Sequence, residues 1–419
     1  MPAHGWVWLL WASVAFLMSW QEFGRLQDNG DWDALAKGAH LLVGEQPPLK
    51  YDETGQPIGV DTSAGGLSLY ATHPQLQIGP LALAVTRLAM QVPLPTSIAI
   101  RLVGLLLGVP ILLLVVRLGR PRSTRTLALG GAIVAVVVAD MAAHWGHIDD
   151  LLVVMSLLGA ATILRAPPRW VVHREWLALG VVLGLGVAAK PTALPALALV
   201  AALHHRRSRA AFAAVAVIAA AWLPFVVAAP ATLLAGAWRI IIRDDSVLDA
   251  VGMSGLAPGW VRPAQLVLAT SLALALARKD RVRAAVVAVV LGRLAFEPGW
   301  FSYHVGTLII ALVVWELAEA SWPLPLGSAA ALALMMEGVR LLPADVRLLR
   351  LVGTIALLAL LVTLAARTQP RARRGLTSRM RASSPLTNDA DSSVDSDFAS
   401  STASEMATAG GTSSHQSSS

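Results

Sequence analysis

Long apolar runs alternate with short polar segments along most of the chain. Uninterrupted runs of this kind predict membrane-spanning helices. Several runs are shorter than the roughly 20 residues that a perpendicular helix needs, so we expect those helices to be tilted, broken or covered by protein. The predicted runs lie near 5–20, 97–116, 126–140, 151–164, 175–189, 191–203, 210–228, 263–277, 284–296, 304–318, 326–340 and 347–366.

The composition supports a polytopic membrane protein. Hydrophobic residues make up 56% of the chain and charged residues only 14%, and the mean hydropathy is +0.63. A soluble domain cannot bury that much apolar surface. Cysteine is absent, which excludes a disulfide framework and a thiolate metal site. The net charge of +7 does not indicate nucleic-acid binding, because the arginines cluster between apolar runs.

Basic clusters between the runs orient the predicted helices. Positively charged loops stay in the cytosol, and five clusters therefore predict cytosolic loops: 117–125, 165–174, 206–209, 278–283 and 367–381. The segments between these clusters then face outward: 141–150, 229–262, 297–303 and 341–346, together with 21–75 if the N-terminus is cytosolic.

We predict an all-α polytopic membrane domain over residues 1–366, with about 12 spans and both termini in the cytosol. An even number of spans is needed to keep both termini in the cytosol. Residues 76–92, broken by Pro80, must therefore not cross the membrane, and we expect them to form a re-entrant or interfacial helix. The first apolar run ends in Trp20-Gln21-Glu22 without a small-residue cleavage site, so we do not expect a cleavable signal. Beyond Arg381 the composition changes to small polar residues, and we expect 367–419 to be a disordered cytosolic tail.

The first outer loop, residues 21–75, is unusually acidic. It carries eight of the 26 acidic residues, and lipid-embedded proteins rarely keep such a loop unless it performs chemistry or recognition. Asp31 lies near the N-cap of a short amphipathic helix that Leu35, Ala39 and Leu42 predict. At the membrane surface Asp31 could take a proton from a hydroxyl acceptor, or it could only cap the helix.

Histidines and carboxylates recur on the same predicted outer face. His73 precedes Pro74 in a segment that could line a cleft or simply anchor the loop. The 140–150 segment contains His147, Asp149 and Asp150, and charges this close to a membrane core usually pair, bind something or line a wet cavity. These three residues could hold a metal or orient a base. The alternative is a helix N-cap with a hydrogen-bonded histidine.

Cations and aromatic residues complete this face. Lys190 is the only lysine in a predicted span, and the helix that Pro191 starts adds free N–H groups, so the pair could bind a phosphate at headgroup depth. Snorkelling to lipid phosphate is the alternative. Arg262 could also bind a lipid phosphate, and Tyr303 and His304 could contact sugar rings, although most interfacial aromatic residues only anchor a protein.

These motifs resemble the polytopic glycosyltransferases of the C type, which use polyprenyl-phosphate sugars. More narrowly, they are similar to the bacterial polyprenyl-phosphomannose-dependent mannosyltransferases. The similarity runs from about residue 6 to residue 366. The residues that carry it are Asp31-Trp32, Gly38-Ala39, Leu41-Leu42-Val43-Gly44, Tyr70, His73-Pro74, Gly79-Pro80-Leu81, Gly146-His147-Ile148-Asp149-Asp150, Lys190-Pro191 and Trp222-Leu223-Pro224-Phe225.

The resemblance implies a GT-C-like helix bundle in the bacterial plasma membrane, with an extracytoplasmic active site. It implies that Asp31, with Asp33 as the competitor, is the general base on the acceptor hydroxyl, and that transfer inverts the sugar carbon. Lys190 and Arg262 would stabilise the leaving lipid phosphate. The partners would be the polyprenyl-phosphate sugar, a glycan or glycolipid acceptor and membrane lipids, but not nucleic acid. The residues expected to line the substrate site are His73, His147, Asp149, Asp150, Tyr303 and His304.

This chemistry requires no cofactor, because the lipid monophosphate departs from a protein cation, although Asp149 and Asp150 leave room for a divalent cation. Two other classes stay open. A transporter or flippase would place charges at mid-membrane on broken helices and often shows internal repeats, whereas here the charges lie at one edge and no repeat is obvious. A non-catalytic membrane assembly partner is the other alternative.

Overall fold

The helices that the apolar runs predict dominate a computed structural model of the chain. The structure describes residues 32–46, 50–51, 57–58, 65–119, 123–168, 171–244, 246–319, 324–335 and 346–367, and all of these lie in one compact unit. The predicted span 5–20 and the tail from residue 368 lie outside the described residues. Within the described residues, β-pairing is limited to one two-residue ladder and one isolated bridge, Ile241–Leu256.

The first outer loop contains short elements. In chain order these are helix α1 (Trp32–Leu42), the antiparallel strands β1 (Lys50–Tyr51) and β2 (Pro57–Ile58), a 3₁₀ turn (Gly66–Ser68) and helix α2 (Leu69–Thr72), followed by helix α3 (Pro80–Ala89). The amphipathic helix predicted after Asp31 is therefore confirmed as α1.

Helix α1 packs against α3 through a glycine. A Cβ on Gly38 would lie 2.7 Å from a methyl of Leu83, so the missing side chain lets the two helices approach. Leu35 and Leu41, on the apolar face of α1, are almost completely buried. Helix α3 has ten residues and is about 15 Å long, too short to cross a membrane.

The remaining helices follow the predicted runs closely, apart from Pro230–Ala237 and Val247–Ala250, which lie in the predicted outer loop 229–262. They are α4 (Thr96–Gly119), α5 (Thr124–Ala139), a π-helix (Asp140–Trp145), α6 (Ile148–Arg165), α7 (Glu175–Ala189), a 3₁₀ helix (Pro191–Ala202), α8 (Arg207–Ala228), a 3₁₀ helix (Pro230–Ala237), α9 (Val247–Ala250), α10 (Val261–Arg278), α11 (Val282–Leu294), α12 (Ser302–Glu319), α13 (Leu326–Met335) and α14 (Val346–Ala366).

Several of these helices have membrane character. Five in the described part of the chain are long and apolar enough to cross a bilayer: Thr96–Gly119, Thr124–Trp145, Arg207–Ala228, Ser302–Glu319 and Leu348–Ala366. The apolar helices indicate a membrane protein. In the part of the chain that the structure describes, fewer helices reach full span length than the runs predicted there.

Lys190 separates two consecutive short apolar helices. It is extended, with φ −155° and ψ 120°, because Pro191 immediately starts a new helix. The 3₁₀ helix that follows has 12 residues and rises by about 2 Å per residue, so it covers roughly 24 Å. This break turns the Lys190 side chain into the protein, where it is only 6% exposed.

Three of the predicted cytosolic clusters, 117–125, 165–174 and 278–283, meet at one end of the helices. Arg117 donates to the carbonyl of Ala166 over 2.7 Å, and Arg165 pairs with Asp280 at 2.8 Å. Two of the predicted outer segments, 141–150 and 297–303, contact each other, since the ring of His147 stacks on that of Tyr303.

Candidate functional site

A change of helix type presents the 140–150 segment to the interior. The backbone continues α5 as a π-helix over Asp140–Trp145, and Gly146 then adopts a left-handed conformation with φ 75°. Helix α6 starts at Ile148, so Asp149 and Asp150 lie in its first turn, where the helix dipole favours negative charge. Short π-helical turns of this kind are frequent at functional sites.

Gly146 also lets the first loop approach this turn. A Cβ at Gly146 would lie 2.7 Å from the Cβ of Trp32, the first residue of α1. Helix α1 therefore begins beside the 140–150 segment, and Asp33 lies in its first turn, half-buried. Asp31, the predicted base, directly precedes Trp32 and lies outside the described residues, so its role stays a prediction.

Lys190 and His147 compensate a buried pair of carboxylates. Asp149 and Asp150 are each 1% exposed. Nζ of Lys190 lies 2.7 Å from Oδ2 of Asp149 and 2.5 Å from Oδ2 of Asp150. Nδ1 of His147 lies 3.0 Å from Oδ1 of Asp149 and 3.4 Å from Oδ2 of Asp150. Two adjacent buried carboxylates would be very costly alone, so these nitrogen partners stabilise their ionised form.

Arg293 connects this pair to a third carboxylate. Its Nη1 lies 3.7 Å from Oδ1 of Asp150, and its Nε lies 3.3 Å from Oε2 of Glu297. Arg293 is not among the residues predicted from the sequence, because it falls within an apolar run interpreted only as a span. The signal that could have revealed it is an ionisable residue inside an apolar run, which is costly unless paired.

Glu297 in turn binds Arg262. Nη1 of Arg262 lies 3.1 Å from Oε2 of Glu297, and its Nη2 donates to Oε1 of Gln77 over 3.2 Å. Gln265 donates from Nε2 to the same Oε2 of Glu297 over 3.1 Å. These bonds link α10, the α11–α12 connection and the segment before α3.

The formal charges of this network cancel. The three carboxylates of Asp149, Asp150 and Glu297 face the three cations Lys190, Arg293 and Arg262. We call these six residues the charge network. Because it is neutral as a whole, the network can be buried at moderate cost although each charge alone could not.

The partners of His304 determine its tautomer. Nη2 of Arg293 lies 2.6 Å from its Nε2, and a guanidinium can only donate. Nε2 must therefore accept, and the ring proton resides on Nδ1, which lies 3.2 Å from the carbonyl oxygen of Gly299. His304 is thus held neutral, with its Nε2 lone pair directed at the charge network.

Tyr303 joins the predicted aromatic and histidine positions. Its ring stacks on His147 with centroids 3.5 Å apart and on Phe301 at 5.3 Å. Nζ of Lys190 lies 5.6 Å from the Tyr303 centroid. The structure therefore brings together three sequence segments that were predicted separately: the 140–150 turn, the 190–191 break and the 297–304 connection.

An apolar cleft of about 490 Å³ adjoins the network. Its polar wall consists of Arg262, Arg293, Gln77 and Gln265. The other walls are apolar and include Leu194, Leu233 and Leu266, which are 39%, 71% and 40% exposed. The cleft therefore opens on the apolar surface of the protein. Among the described residues that line it, the cations are Arg262 and Arg293, and Lys190 is not one of the lining residues.

The first loop contributes a wall of the same cleft. Tyr70 and Pro74 line it, and His73 between them is fully buried at the end of α2. The Tyr70 hydroxyl donates to the carbonyl of Ile78 over 2.9 Å. Burial raises the pKa of the Tyr70 phenol well above its ordinary value, so the group stays neutral there.

No protein-family model, no curated protein and no solved structure matches this chain. The site is therefore interpreted from its own geometry.

Proposed function

We propose that this chain is a C-type membrane glycosyltransferase that moves a sugar, mannose by resemblance, from a polyprenyl phosphate to a hydroxyl acceptor. The observation that carries the proposal is the apolar cleft, which opens on the apolar surface and has Arg262 and Arg293 in its polar wall. A polyprenyl chain suits the apolar walls, and guanidinium groups bind phosphate oxygens with several donors at once.

In the proposed reaction, the acceptor hydroxyl gives its proton to the Asp31 carboxylate while its oxygen attacks the anomeric carbon of the sugar. The bond from that carbon to the phosphate oxygen breaks, and the polyprenyl phosphate leaves with the electron pair, so the configuration inverts. Arg262 and Arg293 would stabilise the charge that develops on the phosphate.

The geometry supports a different division of roles among the cations from that expected on sequence. Lys190 was predicted to bind the donor phosphate, but its ammonium is already paired with Asp149 and Asp150. We therefore assign the phosphate contacts to Arg262 and Arg293, which line the cleft. Tyr303 and His147 would lie between the two substrates, because the start of α1 approaches Gly146 from the other side.

We further propose a GT-C-like bundle of twelve spans in the bacterial plasma membrane, with both termini in the cytosol and the site outside. The shorter helices, such as Glu175–Ala189, would cross as tilted or protein-covered spans. The positive-inside rule supports this orientation, since the basic clusters at 117–125, 165–174 and 278–283 contribute to one end.

Sugar transfer can be measured directly. Membranes containing the protein are incubated with radiolabelled polyprenyl-phosphomannose, and we expect label to appear in an acceptor. Asp31→Asn should abolish transfer without lowering membrane abundance, because the amide cannot accept the proton. Asp33→Asn tests the competing carboxylate and should keep transfer if Asp31 is the base. Full activity of the Asp31 variant would exclude that residue as the base.

One observation favours transport as a second candidate. The helix break at Lys190-Pro191 lies beside buried charges, as in the discontinuous helices of transporters. Single cysteines at positions 31 and 147 of this cysteine-free chain separate the two functions. Labelling from alternate sides of the membrane would favour transport, and labelling from one side only would favour the enzyme.

A further inference from the structure

Three potential metal ligands lie close together beside the Lys190 ammonium. His147, Asp149 and Asp150 each offer one atom, and these atoms lie within 4.8 Å of one another. Imidazole nitrogen and carboxylate oxygen are ligands that divalent transition-metal ions take in proteins. The three residues are buried, so the cluster is not a solvated acidic surface.

The Lys190 ammonium lies within this cluster. Its Nζ contacts Oδ2 of both Asp149 and Asp150, at 2.7 and 2.5 Å. A cation that bridges two carboxylates next to an imidazole has the role that a bound metal ion would have there. The ammonium also balances the charge network, in which two arginines alone would leave one of three carboxylates uncompensated.

We propose that Lys190 is a built-in cation that takes the place of a divalent metal ion between Asp149 and Asp150, and that removing its side chain turns the His147-Asp149-Asp150 cluster into a divalent-cation site. This part of the proposal concerns the cluster itself and does not depend on sugar transfer.

The backbone at Lys190 should tolerate the change. Its N–H donates to the carbonyl of Gly186 over 3.0 Å, and its carbonyl accepts from the N–H of Ala193 over 3.0 Å. Neither bond uses the side chain, and extended backbone suits alanine. Lys190→Ala therefore removes the ammonium and its stem, keeps the helix break, and leaves space at the carboxylates.

Lys190 would also position Arg293 in the wall of the cleft, through Asp150. Oδ2 of Asp150 is held by the ammonium, while Oδ1 of the same carboxylate faces Arg293 at 3.7 Å. Loss of the ammonium would free Asp150 to move and would displace Arg293 in the cleft wall. This step rests on the proposed function, and it predicts that Lys190→Ala transfers sugar poorly until a divalent ion restores the bridge.

The test uses Mn²⁺ as the probe and the purified full-length chain in detergent. Electron paramagnetic resonance should show that Lys190→Ala binds Mn²⁺ about 100-fold more tightly than the unmodified protein, because a buried carboxylate pair then lacks its cation. Adding Asp149→Asn to that variant should remove the gain. Lys279→Ala is the matched lysine control, since Lys279 bonds backbone carbonyls at the other end of the helices.

A thermal melt provides a second measurement in case Lys190→Ala is less stable than the unmodified protein. Because a ligand that binds only the native state stabilises it, Mn²⁺ should raise the thermal midpoint of Lys190→Ala and leave that of the unmodified protein unchanged. Equal Mn²⁺ affinity in both proteins, or no binding by a folded Lys190→Ala chain, would overturn the proposal. If the unmodified protein transfers no sugar, the proposed function fails while the Mn²⁺ result still decides the role of Lys190.

Discussion

Buried carboxylates are compensated in two different ways at two places in this protein. Glu316 is 3% exposed and accepts hydrogen bonds from the N–H groups of Gly327 and Ser328, over 2.7 and 2.9 Å. These N–H groups begin α13, so the side chain caps a neighbouring helix. The acids of the charge network are instead bound by lysine and arginine side chains.

The difference offers a criterion for separating a candidate functional cluster from a structural one. Burial of an acid is common to both places and does not separate them. At Glu316 the donors belong to one helix start, two backbone N–H groups and the Ser328 hydroxyl, and the arrangement completes local structure. In the charge network the partners come from several elements, and two of them also line an open cleft. Side-chain charges beside open space can respond to a ligand, whereas the donors of a helix start in a packed core cannot.

The largest effect is expected at Arg293. Arg293→Met should lower sugar transfer by roughly 10²–10³-fold, because it removes a cation from the cleft wall. It should also lower the free energy of unfolding by about 3–5 kcal/mol, since Asp150 and Glu297 lose a buried partner. Initial rates at a temperature where the variant stays folded separate the two effects. Retention of full transfer would remove Arg293 from the proposed mechanism.

A smaller loss of transfer is expected at Gly146. Gly146→Ala would force the new Cβ against Trp32, 2.7 Å away, and move the start of α1, so we expect transfer to fall on the order of tenfold to a hundredfold. Gly255→Ala is the control, because Gly255 has the same φ of 75° but no atom within 4 Å of its Cβ position. Equal rates for the two variants would show that backbone strain alone explains the loss.

Glu316 tests the structural side of the comparison. Glu316→Gln exchanges an acceptor-only group for one that also presents N–H donors to Gly327 and Ser328, so we expect about 1–3 kcal/mol less stability. Sugar transfer by the folded variant should stay within about twofold of normal. A thermal melt and a transfer assay on the same preparation measure both. A specific loss of transfer would mean that this carboxylate is not only structural.

The smallest effect concerns the exposed Glu45. The hydrogen bond with His40, and then the charge of Arg87, hold the pKa of Glu45 below its ordinary value. A lowered pKa in the folded state stabilises the protein above the unfolded pKa, and this is lost as the pH falls through the folded value. The thermal midpoint of Glu45→Gln should therefore fall less on acidification below about pH 5 than that of the unmodified protein. Identical acid sensitivity would show that this surface pair contributes nothing.

Sequence was sufficient where local hydropathy decides the structure. The run 175–189 coincides with the helix Glu175–Ala189, because Arg174 precedes it and Lys190-Pro191 ends it. Sequence was insufficient for Arg293 and Glu297, which lie in or after an apolar run and acquire a role only through their partners. It predicted both Lys190 and Asp150 at the site but not that they pair with each other, since Asp150 lies 40 residues earlier in the chain.

The sequence by itself determined which segments become apolar helices and which polar segments lie between them, because a helix in an apolar environment needs only its own backbone bonds and apolar side chains. Only the tertiary structure decided that Lys190 binds Asp149 and Asp150 and that arginines line the cleft. Those pairings depend on which helices are neighbours, and the free energy of a buried charge is set by the atoms within a few ångströms and not by its neighbours along the chain.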